Sequence, residues 1–172
     1  MSSPVAATPD LAAVLAARDT RALFQAELAA RWGGPVLSLT VVSPGPVKNS
    51  PRIDRVFTAA VKAVAGLLAD RGWRALERCR RLSAAGPELL MAVEANPAAL
   101  KSALADLEDL HPLGRLWDAD VLKAGRPLSR AAVGRPRRRC LVCGAAAAPC
   151  ARSRRHSLAE LDAAVEALLF HG

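Results

Sequence analysis

The chain reads as an α+β protein, a mixed or antiparallel sheet covered by helices, and three observations predict it. Val36 to Val42 is a run of aliphatic and β-branched residues, the composition of a strand. Between Arg52 and Asp70 the apolar positions Ile53, Val56, Phe57, Ala60, Val64, Leu67 and Leu68 recur at helical spacing. Two further strand-like runs flank the turn Ala85-Gly86-Pro87, and a helix and another strand follow. The core order is thus strand, helix, strand, strand, helix, strand, the alternation of a sheet with helices laid on it.

Taken in order, residues 9–32 form an N-terminal helical segment with Leu11, Val14, Leu15, Leu23, Phe24 and Leu28 between charged residues, and Asp19-Thr20 divides it into two helices. Gly33-Gly34-Pro35 stops it. The strand Val36–Val42 ends at Ser43-Pro44-Gly45-Pro46, where proline removes ladder donors. Ser50-Pro51 starts the next helix with a capping hydroxyl and a proline at the first helical position. Trp73 to Leu82 and Glu88 to Glu94 are paired strands, and Asn96-Pro97 opens a helix to about Leu110. His111-Pro112-Leu113-Gly114 breaks that helix. A strand then runs to Leu122, a turn falls at Ala124-Gly125, and a short strand covers Pro127 to Arg130. Residues 131–155 are a Cys/Arg-rich loop region, and Ser157 to Phe170 is a final helix.

The 172 residues suit one domain, with a core over 9–130 and a basic segment and helix over 131–172. The net charge of +8 is lopsided: from Lys123 onward there are ten Lys/Arg and three Asp/Glu. Such a surface attracts nucleic acid, a phosphate-rich small molecule or an acidic protein. The absence of Tyr and the 3% aromatic content argue against a stacking platform for single-stranded nucleic acid. No stretch approaches a membrane span, and Met1 to Asp10 has no secretory signal pattern. The clustered cysteines fit reduced thiols or a metal rather than a disulfide scaffold, so the expected compartment is the cytoplasm.

Within Gly114-Arg115-Leu116-Trp117-Asp118-Ala119-Asp120-Val121, strand alternation puts Asp118 and Asp120 on one face, Cβ atoms roughly 7 Å apart, and Trp117, Ala119 and Val121 on the other. Two like charges on one face repel unless a cation lies between them, and Mg²⁺ binds through one or two carboxylates plus substrate phosphates. The plainer reading is a solvated strand face. Lys48, in the loop Ser43–Ser50 before a helix start, offers a point charge to phosphate. Arg115 is a second phosphate candidate, although its side chain should leave on the face away from the aspartates. Glu88, after the Gly86-Pro87 turn, is a third carboxylate if the fold brings it near the pair. Cys140, Cys143, Cys150 and His156 form a C-x2-C-x6-C-x5-H array, a Cys3His set suited to structural Zn²⁺, with a reduced, metal-free loop as the alternative. Cys79 stands alone, and His111 at a helix end reads as structural.

Several stretches together resemble one family: Leu39-Thr40-Val41-Val42-Ser43-Pro44-Gly45-Pro46-Val47-Lys48, Ser83-Ala84-Ala85-Gly86-Pro87-Glu88, His111-Pro112-Leu113-Gly114-Arg115-Leu116-Trp117-Asp118-Ala119-Asp120-Val121, and Arg139-Cys140-Leu141-Val142-Cys143 through Cys150-Ala151-Arg152 to His156. In order, over about residues 10 to 170, they are similar to the apo-citrate lyase phosphoribosyl-dephospho-CoA transferases. The resemblance implies a nucleotidyltransferase-like enzyme. It would move the phosphoribosyl-dephospho-CoA group of 2′-(5″-triphosphoribosyl)-3′-dephospho-CoA to a serine of the apo acyl carrier subunit of citrate lyase, releasing pyrophosphate. In that reading Asp118 and Asp120 hold Mg²⁺, one of them also serving as base, and Lys48 and Arg115 meet phosphates, with no nucleic acid or membrane partner. The rival reading is a zinc-containing nucleic-acid-binding module built on the Cys/His array and the arginines of 135–139; it leaves the aspartate pair unexplained.

Overall fold

The structure, a computed structural model, describes residues 9–171, so the first residues of the stretch in which no secretory signal is read lie outside it. Five antiparallel strands, β1 (Val36–Val41), β2 (Arg74–Ser83), β3 (Gly86–Glu94), β4 (Trp117–Lys123) and β5 (Arg126–Pro127), stand in the order β2-β3-β1-β4-β5. Among the described residues five α-helices accompany them: α1 (Leu11–Trp32), α2 (Pro51–Asp70), α3 (Pro97–Leu110), α4 (Ala147–Arg152) and α5 (Leu158–His171). The expected strand and helix order is present, and among the described residues the sheet is antiparallel throughout.

Strand pairing explains the two faces. Leu37 pairs with Met91 and Val121, and Leu39 with Leu89 and Ala119, so these side chains share a face. That face packs on Val56, Phe57, Ala60 and Val64 of α2, Leu100 and Leu104 of α3, and Val165 of α5, with Trp117 buried among them. The other face carries Val36, Ala92, Leu122 and Leu90, against which α1 lays Leu28 and Phe24. Farther along β1 this face turns polar. Ser38 accepts from Gln25 Nε2 at 2.9 Å, and Thr40 pairs with Glu88 on one side and Asp118 on the other.

Local capping follows the sequence. Ser50 accepts from the Ile53 N–H with Pro51 at the helix start, and Asn96 accepts from Ala98 and Ala99 ahead of α3. Three expectations need correction. Residues 11–32 are one helix, because the Thr20 hydroxyl bonds back to the Ala16 carbonyl at 2.8 Å and so satisfies itself without a break. The last strand is Arg126–Pro127; after Leu128 donates to the Val121 carbonyl the chain leaves the sheet. The segment after residue 130 is not all loop: it holds a 3-10 turn at Ala131–Val133 and α4. Gly114–Leu116 is likewise a 3-10 turn leading into β4. A Cβ on Gly114 would lie 2.3 Å from the Glu108 carbonyl oxygen, which is why the chain can pass so close to the end of α3.

Candidate active site and metal cluster

β4 is an edge strand over most of its length, because β5 reaches only Leu122 and Lys123. Its outward backbone groups are met by side chains of α3 instead. The Ala119 N–H donates to Glu108 Oε1 at 2.8 Å, and the Ala119 carbonyl accepts from Lys101 Nζ at 2.9 Å. Lys101 and Glu108 are both buried. An unpaired sheet edge is an open template for aggregation, and here two charged side chains close it. Each charge has a second partner: Lys101 reaches Asp120 Oδ1 at 3.3 Å, and Glu108 Oε2 takes Arg130 at 2.6 Å.

Asp118 and Asp120 share one face of β4, as alternation requires, while Trp117, Ala119 and Val121 enter the core. Their carboxylates are half exposed, at 49% and 51%. They line a groove of about 240 Å³ with Lys101, Ser129, Arg130 and Arg138. Arg138 lies 3.2 Å from Asp118 Oδ1 and also donates to the carbonyls of Arg115 and Trp117. Burial and the neighbouring Asp120 charge push the Asp118 carboxyl above the usual carboxylate range, against the pull of Arg138, Lys101 and Arg21. Two carboxylates thus share one wall of the groove, each with one basic partner.

Glu88 sits in the same cross-strand row, with Thr40 between it and Asp118, so two strand spacings, roughly 10 Å, separate the backbones. Its side chain is 1% exposed and lies 3.5 Å from Arg21 and 3.6 Å from Arg81. Burial raises its carboxyl above the ordinary value, opposed by those two arginines. Lys48 donates to the Ser43 carbonyl at 2.7 Å, and burial, with Arg18 nearby, lowers its ammonium pKa. Its loop packs on the β2–β3 hairpin: Asn49 donates to the Ser83 carbonyl, and Gly86, at φ 109°, would bring a Cβ within 3.1 Å of the Lys48 carbonyl oxygen. Two motifs far apart in sequence are thus neighbours. Arg115 lies in the 3-10 turn ahead of β4, so strand alternation does not set its side chain, and it donates to the carbonyls of Arg139 and Cys140. His111 accepts from the Leu113 N–H and its ring lies 4.3 Å from that of Trp117, a structural role.

Cys140, Cys143, Cys150 and His156 converge, with their ligand atoms all within 4.8 Å of one another. Cys143 Sγ and Cys150 Sγ are 3.6 Å apart. The cluster is able to hold a metal ion. Its Cys140, Cys150 and His156 line a cleft of about 700 Å³, mostly apolar, together with Val42–Gly45 and the arginines Arg115, Arg138, Arg139 and Arg154.

Sequence reasoning missed Lys101, Glu108, Arg130 and Arg138. Lys101 had one signal, a lone lysine on the apolar face of α3 beside Leu100 and Leu104. Arg138 had none, being one arginine in a run.

A family model described as apo-citrate lyase phosphoribosyl-dephospho-CoA transferase matches residues 9–171. Proteins of that name from Shigella boydii serotype 18, Escherichia coli O157:H7 and Shigella sonnei are each 44% identical to this chain over 157 residues, covering 91% of it and 86% of the relative. All the described elements and both clusters fall within the matched span.

Proposed function

Because the chain belongs to the apo-citrate lyase phosphoribosyl-dephospho-CoA transferase family, we propose that it attaches the prosthetic group to the acyl carrier subunit of citrate lyase from 2′-(5″-triphosphoribosyl)-3′-dephospho-CoA. The observation that carries the site assignment is the Asp118/Asp120 pair, facing Lys101 and Arg138 in one groove. The sheet serves as a nucleotidyltransferase-like platform, and β4 presents the reacting end of the donor.

The bond that forms joins the carrier serine oxygen to the phosphorus nearest the ribose; the bond that breaks releases pyrophosphate. Asp118 and Asp120 would hold Mg²⁺, which when bound neutralises triphosphate charge. One of the two carboxylates also takes the proton of the carrier serine as its oxygen attacks. Lys101 and Arg138 offset charge on the donor oxygens in the same groove, and Lys48 and Arg115 contact phosphates farther out. The apolar cleft with its lining arginines takes the dephospho-CoA end. Zn²⁺ at the Cys3His cluster is the structural ion of this reading.

The test is the intact mass of apo carrier subunit after incubation with this protein, donor and Mg²⁺. A prosthetic-group mass gain is expected with wild type and loss of it with Asp118→Asn and Asp120→Asn. A gain that persists in both variants removes the active-site assignment. No gain, with a carrier and donor that a known relative modifies, overturns the function.

A further inference from the structure

We infer that the Cys3His cluster is a zinc clasp that holds Arg138 on Asp118. Three observations support a metal there. The ligand atoms lie within 4.8 Å of one another, and tetrahedral zinc with bonds of about 2.3 Å to sulfur sets sulfurs about 3.8 Å apart, close to the 3.6 Å between Cys143 and Cys150. His156, its side chain 10% exposed, leaves Nε2 buried with no hydrogen-bond partner. A buried imidazole nitrogen without a partner is costly unless something binds it. Its Nδ1 lies 4.0 Å from Glu160 Oε1, too far for a hydrogen bond, while Glu160 Oε2 is held by the Ser157 N–H and hydroxyl. Three thiolates and one divalent ion leave a net charge of −1, offset by the arginines that line the cleft.

The clasp function follows from the connections. The strap 135–139 has one isolated bridge, Arg139 to Ala146, and belongs to no strand or helix. Its near end is tied to α3 through Arg135, which bonds Ser102 and Asp106. Its far end runs into Cys140, whose N–H donates to the carbonyl of Ala145 just past the C-x2-C turn, and the Ala147 N–H donates to the Arg138 carbonyl. Two arginines then stitch this segment, in opposite directions, to β4 and to the 3-10 turn ahead of it. Arg138 crosses to Asp118 and the Trp117 carbonyl, while Arg115 crosses back to the carbonyls of Arg139 and Cys140. The cluster spans seventeen residues that contain one six-residue helix, so four ligand bonds are what fixes their shape. A metal that closes the turn therefore sets the strap, and the strap sets Arg138.

The consequence for transfer rests on the transferase reading, whereas metal content and strap protection do not. The full chain, produced with zinc supplied, is expected to carry one zinc ion, to show thiolate-to-metal charge transfer and tetrahedral d–d bands after Co²⁺ exchange, and to lose the metal in Cys143→Ser and His156→Ala. Limited trypsin digestion reads the clasp directly. Metal-free protein is expected to be cut after Arg137, Arg138 or Arg139 on the order of tenfold faster than loaded protein, and Zn²⁺ to restore protection. Cys143→His, which keeps four ligands, is expected to retain both metal and protection. A chain that binds no zinc, with its thiols free or with Cys143 and Cys150 joined as a disulfide, overturns the metal site. Zinc bound with equal strap cleavage in both forms overturns the clasp. If metal and protection behave as expected but no carrier is modified, the transferase reading fails and the clasp stands.

Discussion

Lys101 and Glu108 stand seven residues apart on α3 and bind opposite poles of one peptide residue, Lys101 the carbonyl and Glu108 the N–H of Ala119. Seven residues is two helical turns, so both side chains leave the same helix face. Ala119 lies between the two aspartates, so this grip fixes the piece of backbone that aims them. The helix therefore does more than cover the sheet: it ties the site strand in register.

Lys101→Met tests the grip. It leaves the Ala119 carbonyl without its donor and Asp120 without its partner, and is expected to cost about 1–3 kcal/mol in urea unfolding. Transfer should fall more than stability does, because Asp120 is freed to move. A variant with wild-type rate and stability would show the contact to be idle.

Glu108→Ala should be worse. It strands Arg130, 11% exposed, beside a buried N–H, and removal of one partner of a buried pair costs about 3–5 kcal/mol. Arg130 also holds Asp109 at 2.9 Å, which softens the loss. Glu108→Gln keeps an acceptor for Ala119 and is expected to cost less than Glu108→Ala in the same thermal melts.

Glu88 gives a pH dependence. Burial raises its folded-state pKa, so the folded form binds its proton more readily than the unfolded chain. Its contribution to stability is present below the ordinary carboxylate pKa of 4.5 and is lost as pH rises through the raised value. Glu88→Gln keeps a hydrogen-bonding group for Arg21 without the buried charge. Its melting temperature is expected to gain on wild type as pH climbs from acid toward neutral; a constant gap across that range would refute it.

Gly114→Ala puts a methyl group 2.3 Å from the Glu108 carbonyl oxygen, with backbone rather than a flexible side chain in the way. The 3-10 turn must shift, at a cost of about 1–3 kcal/mol or more. Because that turn leads directly into Trp117 and Asp118, reduced transfer should accompany the lower melting temperature.

The sequence by itself determined the element order and the alternation that puts Asp118 and Asp120 on one face and Trp117, Ala119 and Val121 on the other, because these depend on neighbours a few residues apart. Ser50-Pro51 and Asn96-Pro97 marked their helices for the same reason, and the Cys/His spacing marked a cluster whose side chains do converge. Tertiary structure alone decided what surrounds the pair. Lys101 and Glu108 were two charges on a helix until packing set α3 along the edge of β4. Arg138 was one of several arginines until the strap crossed the sheet, and Glu88 could not be separated from the pair until strand order placed β1 between them. Local rules fix which way a side chain points along its own element; which charge it meets is set by long-range packing, where burial makes an unpaired charge costly and so selects the partner.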